Sequence, residues 1–516
     1  MAFSRSAVQI FYIFLGALAC FVYGIDYGYL SGVLSEPVFI QRYGTWNSAT
    51  ESYELKSDRL SLLSSTIYVG SFAGALISPI LAKSWGKKRS LIFGCLSFAF
   101  GSALQLGAVN INMFIAGRAI SGLLISFANV LGPAYVNEIA PIHLRGTGVV
   151  MCLQLLTLGN FTSSMVTLGA AQRTDRLAYQ VPIALCIMVS GVCAVALLLM
   201  PQTPIHLAAR GRWEDARRVI ARIWHMAADE PEVEQEIICI RESLGNHQSD
   251  DSKWIELFQQ QNLRRTIYSA ANIILMNAFT GINFYLTYGS VFAAQAGFSS
   301  PWGVTALLAG VNCFTTTPAL WMVERFGRRP LKFVGGAGSV IFSLMAALAY
   351  SASPDGPTSH RLLIAGVTLS VFFFAGFIGP AGWAYTAEIP TARLRAKTIG
   401  FANASYVVFV WAFGYASPYL FQDPVNLKGA FCYIWLGGNV LCSIFDYFCL
   451  YETVGLAHHE IDQMMASGVS ARRSAQWGRD KKASRGDSTE LRLEVEGLDE
   501  EKMPATVVVS TYTKDP

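Results

Sequence analysis

The sequence predicts an all-α membrane protein of twelve transmembrane helices, arranged as two six-helix pseudo-symmetric bundles. Three observations predict it. Hydrophobic residues make up 53% of the 516-residue chain and charged residues only 14%, against about 25% charged in soluble domains. Twelve windows approach the ~20 apolar residues that a helix needs to cross the hydrocarbon. Loop motifs of the first half return in the second. The formal net charge of +4 is small and no basic stripe alternates with aromatics, so no nucleic-acid partner is implied.

The windows lie at about 9–31, 60–82, 90–109, 112–135, 147–169, 179–200, 266–294, 303–323, 332–351, 361–386, 397–420 and 429–450. The expected organisation is a first bundle over 1–200, a central loop with short helices over 201–263, a second bundle over 264–451, and a tail over 452–516 that is largely disordered after about 467. In the central loop Ala216, Val219, Ile220 and Ile223 recur at helical spacing, which predicts short surface helices. The first window runs into Asp26 without a small-residue cleavage site and is expected to stay as a span. Nine of the ten cysteines fall in apolar windows, the histidines sit in loops or at span ends, and no CxxC occurs. Neither a disulfide framework nor a metal site is expected.

Orientation follows from the cations at span ends. Lys83, Lys87, Lys88 and Arg89 lie between windows two and three, Arg325, Arg328, Arg329 and Lys332 between eight and nine, and Arg393, Arg395 and Lys397 between ten and eleven. Loops on the other side mix their signs. The basic loops, the central segment and both termini are therefore expected in the cytoplasm.

Asp26 interrupts the first window. A charge at bilayer depth is expensive, so an intramembrane acid is a candidate functional site; a helix-end acid reaching water is the alternative. Gly24, Gly28 and Gly32 share one helix face and let a neighbouring helix approach closely. Arg118, at the start of the fourth window, is the cation that would hold Asp26 ionised, while desolvation favours its protonated form. The other reading is that Arg118 snorkels to the interface.

Glu138-Ile139-Ala140-Pro141 leads to Arg145, and Glu388-Ile389-Pro390 leads to Arg395, offset by 250 residues (388 − 138). Trp85-Gly86-Lys87-Lys88 returns as Phe326-Gly327-Arg328-Arg329, offset by 241 (327 − 86). Such duplication is typical of secondary transporters with a midplane site between their halves. Glu138 with Arg145, and Glu388 with Arg395, are expected to pair across helix ends and hold the cytoplasmic side closed. Topology alone is the simpler account of the cations. Gln154, Asn277, Asn283, Asn312, Trp383, Asn403 and Tyr406 are the candidate solute contacts within spans; amides suit hydroxyl-rich solutes, and packing is the bland alternative. Gly281 and Gly379-Pro380 are expected to break spans seven and ten, and the glycines of span one hint at the same there.

These residues together resemble the sugar porter family of the major facilitator superfamily, its fungal members most of all. The resemblance covers about Phe21 to Asp462. It rests on Gly24-Ile25-Asp26-Tyr27-Gly28, Gly117-Arg118, the run Pro133 to Pro141 with Arg145, Gln154, Thr280-Gly281-Ile282-Asn283, Glu324-Arg325-Phe326-Gly327-Arg328-Arg329, Gly379-Pro380 with Trp383 and Glu388, and Glu452-Thr453-Val454-Gly455-Leu456. It implies a multi-pass plasma-membrane carrier for a monosaccharide or related polyol, working by alternating access with no cofactor, and not an enzyme. It implies that Asp26 and Arg118 couple transport to a proton. It carries sugar contacts to Gln154, Asn283, Asn312 and Trp383, and gate charges to Glu324 and Arg328. The chain departs from the family where two adjacent glutamines are Asn277 and Ala278, where an amide is Tyr406, where a loop acid is Lys83, and at Pro201-Gln202-Thr203-Pro204-Ile205. A passive facilitator and a non-transporting nutrient sensor stay open as alternatives.

Overall fold

The computed structural model describes residues 5–481 apart from 49–50, 142–143, 248–252, 296–297, 299, 354–355, 392, 423–424 and 457. The protein is a helical membrane bundle. The first half comprises spans at Arg5–Leu34, Ser57–Trp85, Lys87–Leu106, Ile111–Ile139, Arg145–Ala170 and Leu177–Leu199. The second comprises Gln260–Gln295 in pieces, Pro301–Phe326, Arg328–Ala352, Pro357–Glu388, Arg395–Phe421 and Lys428–Cys449. Ten described helices are long and apolar enough to cross a membrane by length and composition. Spans seven and eight fall outside those ten; span seven is broken, as expected.

The break has a local cause. Span seven passes through a π-helical turn at Leu275–Phe279, then reaches Gly281, whose φ of 84° an L side chain rarely adopts. A Cβ at Gly281 would also lie 2.6 Å from Trp435 Cγ. Span ten bends through a π turn at Phe374–Ile378 and restarts at Gly379–Glu388 with proline in its first turn. The third interruption is not in span one, which runs unbroken for 30 residues. It is in span four, at Phe127–Leu131, followed by Gly132 and Pro133. The glycines of span one serve packing instead. A Cβ on Gly24 would overlap the Leu156 carbonyl, one on Gly28 the Asn160 carbonyl and Ser163, and one on Gly32 Thr167. All four lie on span five, so the two backbones touch along the glycine face.

One end of the bundle carries a short antiparallel hairpin, Thr45–Asn47 with Ser52–Glu54, between spans one and two. Hydrogen bonds there join the halves: Ser61 Oγ donates to the Tyr415 carbonyl (2.6 Å), Ser57 Oγ to Pro418 (3.3 Å) and Trp302 Nε1 to Gly32 (3.2 Å). Ser31 and Ser290 meet across the same seam.

The opposite end carries the basic loops and the central segment. That segment folds as Pro204–Ala209, Trp213–Trp224, Pro231–His247 and a 3-10 turn at Trp254–Phe258. Helix Trp213–Trp224 buries Ala216, Ile220 and Ile223, and Trp224 Nε1 donates to the Ile139 carbonyl at 3.2 Å. The tail corrects the expectation of disorder after 467. Residues 471–473 form a 3-10 turn, 474–481 are helical, Ala471 and Ser474 are buried, and Trp477 packs on a cluster with Tyr385, Leu450 and Met464. The physical reason is an apolar stripe too sparse to read in the sequence. Residues 482–516 lie outside the described residues.

Candidate functional site

Asp26 sits eight residues before the end of the first span (34 − 26), so it is not a helix-end acid. Asp26 is 3% exposed and Arg118 1%. Arg118 Nη1 lies 2.7 Å from Asp26 Oδ1 and also donates to the Tyr29 hydroxyl at 2.9 Å. The Tyr29 hydroxyl in turn donates a hydrogen bond to Gln105 Oε1 at 2.7 Å, and Gln105 Nε2 donates to Ser121 Oγ at 3.1 Å. Spans one, three and four are thereby tied by one buried polar network. Arg118 does not snorkel. Its Nε has no partner among the described residues. Desolvating each ion of such a pair costs several kcal/mol, which a well-packed apolar pair would avoid. The network is therefore an expensive feature for stability alone.

The next residue joins this network to the other half. Tyr27 Oη donates to Asn283 Oδ1 at 3.1 Å, and Asn283 Nδ2 donates to the Asn277 carbonyl at 2.8 Å. The Asn277 side chain turns back to the Ile273 carbonyl (3.1 Å). Gln154 Nε2 crosses between halves to the Cys313 carbonyl at 3.4 Å, and its Oε1 has no partner among the described residues. Asn312 is the neighbour of Cys313 and is 7% exposed. Trp383 and Tyr406 meet edge to face with centroids 6.3 Å apart. Of the sequence-predicted contacts, Gln154 and Asn283 bond across the seam between the halves, whereas Asn277 and Asn403 bond back to carbonyls of their own spans. A narrow pocket of about 20 Å³ opens at Asn283, lined by Ala278, Asn283, Tyr68, Phe413 and Trp435 among others. Of the seven predicted contacts only Asn283 lines it.

The gate charges pair differently from expectation. Glu388 Oε1 lies 2.6 Å from Arg328 Nη2, and its Oε2 accepts from Thr453 Oγ1 at 2.5 Å. Arg395 turns its Nε to the Ala387 carbonyl instead (2.8 Å). Glu138 pairs with Lys87. The Arg145 side chain lies outside the described residues. Glu324 reaches Arg328 at 3.1 Å but is mostly exposed, so it adds little. The physical reason is helical geometry: the residue seven on starts the next span, whereas the loop cation faces the acid.

Sequence reasoning missed two features here. Glu452 takes the backbone N–H groups of Arg328 (3.1 Å) and Arg329 (3.0 Å), capping span nine. Lys332, read as a loop cation, is fully buried and lies 2.7 Å from Asp446. The acid in an otherwise apolar span twelve was the available signal.

A family model described as "Sugar (and other) transporter" matches residues 12–465. The chain belongs to the sugar transporter family. It is 28% identical over 496 residues to a major facilitator-type transporter of Aspergillus rugulosus, covering 92% of this chain and 91% of that one. It is 29% identical over 459 residues to a probable glucose transporter of Neurospora crassa (86% and 76% covered). It is 26% identical over 472 residues to a high glucose sensor of Saccharomyces cerevisiae (90% and 61%). The xylose transporter of E. coli in a partially occluded inward-open conformation superposes with a TM-score of 0.71 at 21% identity, covering 87% of this chain and 99% of that one, which establishes the fold. The protein is a multi-pass membrane transporter, not an enzyme.

Proposed function

We propose that this sugar transporter is a proton symporter, moving a monosaccharide or related polyol across the plasma membrane by alternating access, with both termini in the cytoplasm. The observation that carries the reading is the buried Asp26–Arg118 pair, one residue from the Tyr27–Asn283 bond that joins the halves. Protonating Asp26 removes the charge that holds Arg118 Nη1. Tyr29 then becomes the remaining partner of that nitrogen, and the first span is free to shift against span four. Tyr27 rides on the same helix turn, so the shift reaches Asn283 and the solute seam. Gln154, Asn283, Asn312 and Trp383 would meet the solute, with Asn277 and Tyr406 behind them.

The test is uptake in a transporter-null host with a panel of hexoses, pentoses and polyols, with and without an uncoupler. Accumulation that collapses with the gradient supports symport. Entry indifferent to the uncoupler supports passive facilitation. Asp26→Asn is expected to abolish accumulation and spare solute exchange; full concentrative uptake by this variant rejects the proton role. The glucose-sensor relative supports a second reading, in which no solute moves and removal of 482–516 silences a signal.

A further inference from the structure

The second half holds its own buried ion pair. Lys332 is wholly buried in span nine, and Asp446 is 1% exposed in span twelve. Their charged atoms lie 2.7 Å apart. Lys332 Nζ also donates to Asn272 Oδ1 on span seven at 2.5 Å. With its oxygen so held, the Asn272 amide points its Nδ2 at span ten, donating to the Gly382 carbonyl (2.9 Å) and to Thr386 Oγ1 (2.8 Å). These two acceptors belong to the short piece Gly379–Glu388, which starts after the π turn and carries Trp383 and Glu388. One ammonium therefore decides which way an amide faces, and that amide grips the piece of span ten that follows the π turn. The other polar group at Asp446 is Cys442, whose Sγ lies 3.8 Å from Oδ2.

We propose that Asp446 is a second proton-binding site of the carrier, and that Lys332 and Asn272 transmit its charge state to the 379–388 piece of span ten. The inference rests on the symport reading above. When Asp446 takes a proton, Lys332 loses the counter-charge that lies 2.7 Å from it and moves off the amide. Asn272 is then free to flip, and the span-ten piece loses two hydrogen bonds at the end where Glu388 meets Arg328. Asp446 and Asn272 are positioning residues for Trp383, not solute contacts. An ion pair this deep marks function by default, because an apolar pair would be cheaper.

The experiment is hydrogen exchange of the full chain in nanodiscs at pH 5.5 and 7.5, corrected for intrinsic rates, together with the proton-to-solute ratio in proteoliposomes. Wild type is expected to exchange over 379–388 about tenfold faster at the lower pH, the scale of losing two neutral hydrogen bonds. Single variants strand a buried charge and are prone to misfold, so the decisive variant is the neutral double, Lys332→Met with Asp446→Asn. It is expected to fold, to lose the pH dependence of exchange over 379–388, and to couple fewer protons per solute. A double variant with wild-type pH dependence and wild-type ratio overturns the proposal and leaves the pair structural. Exchange reports on span ten without any solute. Failure of the second site is thus distinct from failure of transport, which the uptake panel reads.

Discussion

Arg328 and Glu388 meet at 2.6 Å, and Lys87 and Glu138 pair at the equivalent place in the other half. The two partners belong to different repeated motifs, offset by 241 (328 − 87) and 250 (388 − 138) residues. Each basic loop therefore closes on the acid at the end of the second span after it, span four in one half and span ten in the other. Arg328 is 5% exposed at its side chain, so neutralising Glu388 leaves a cation partly stranded. Glu388→Gln is expected to lower the maximal uptake rate about tenfold with little change in KM, the loss of one charged hydrogen bond. The swapped pair Arg328→Glu with Glu388→Arg is expected to recover part of it. Initial-rate kinetics at matched membrane levels check both.

The capping of these loops is unequal. Glu452 accepts from the first two backbone N–H groups of span nine. Its counterpart 250 residues earlier (452 − 202) is Gln202, which only donates to the Trp85 carbonyl at 3.0 Å and leaves its Oε1 unpartnered among the described residues. A carboxylate at the start of span three would gain the favourable end of that helix, worth about 0.3–1 kcal/mol. Gln202→Glu is expected to raise the thermal midpoint by a few degrees, and Glu452→Gln to lower it. A fall on Gln202→Glu would show the site is closed to charge.

The glycine seam makes a graded prediction. Gly24 and Gly28 press on span-five backbone, whereas a Cβ on Gly169 of that same span meets nothing within 4 Å. Gly24→Ala and Gly28→Ala are expected to destabilise by about 1–3 kcal/mol, as overpacking does, and to cut surface expression. Gly169→Ala is expected to behave as wild type. Thermal shift of the purified protein compares the three.

Glu36 lies just past the first span at the hairpin end, and it is 3% exposed. Burial pushes its carboxyl up to about 7 from the ordinary 4.5. The folded value is above the unfolded one, so the folded state favours the proton. That contribution is complete below about 4.5 and is lost as pH rises through about 7. The wild-type melting temperature is expected to drop across this window more than that of Glu36→Gln. Equal slopes would place the titration elsewhere.

Ala278 stands in the pocket beside Asn283, where the resembled family carries an amide. Ala278→Gln is expected to lower the KM for a free hexose about three- to tenfold, the value of one hydrogen bond to a hydroxyl. Uptake competition against labelled hexose measures it, and an unchanged KM rejects the missing amide as the basis of selectivity.

Much of this protein was legible in the residue order. Apolar windows of fixed length fixed the spans, because backbone polar groups in lipid must bond within a helix. Asp26 and Arg118 were legible as partners because a buried charge needs an opposite one. Gly24, Gly28 and Gly32 were legible as a close seam, and Gly281 as a break. Partner choice across space was not. Only the tertiary structure set Glu388 on Arg328 rather than Arg395, drew Lys332 into the bundle against Asp446, and folded residues 471–481 onto the second half. Periodicity records which face of a helix is apolar, but not how far each helix turns toward its neighbours. That rotation, set by packing, decides which charges meet.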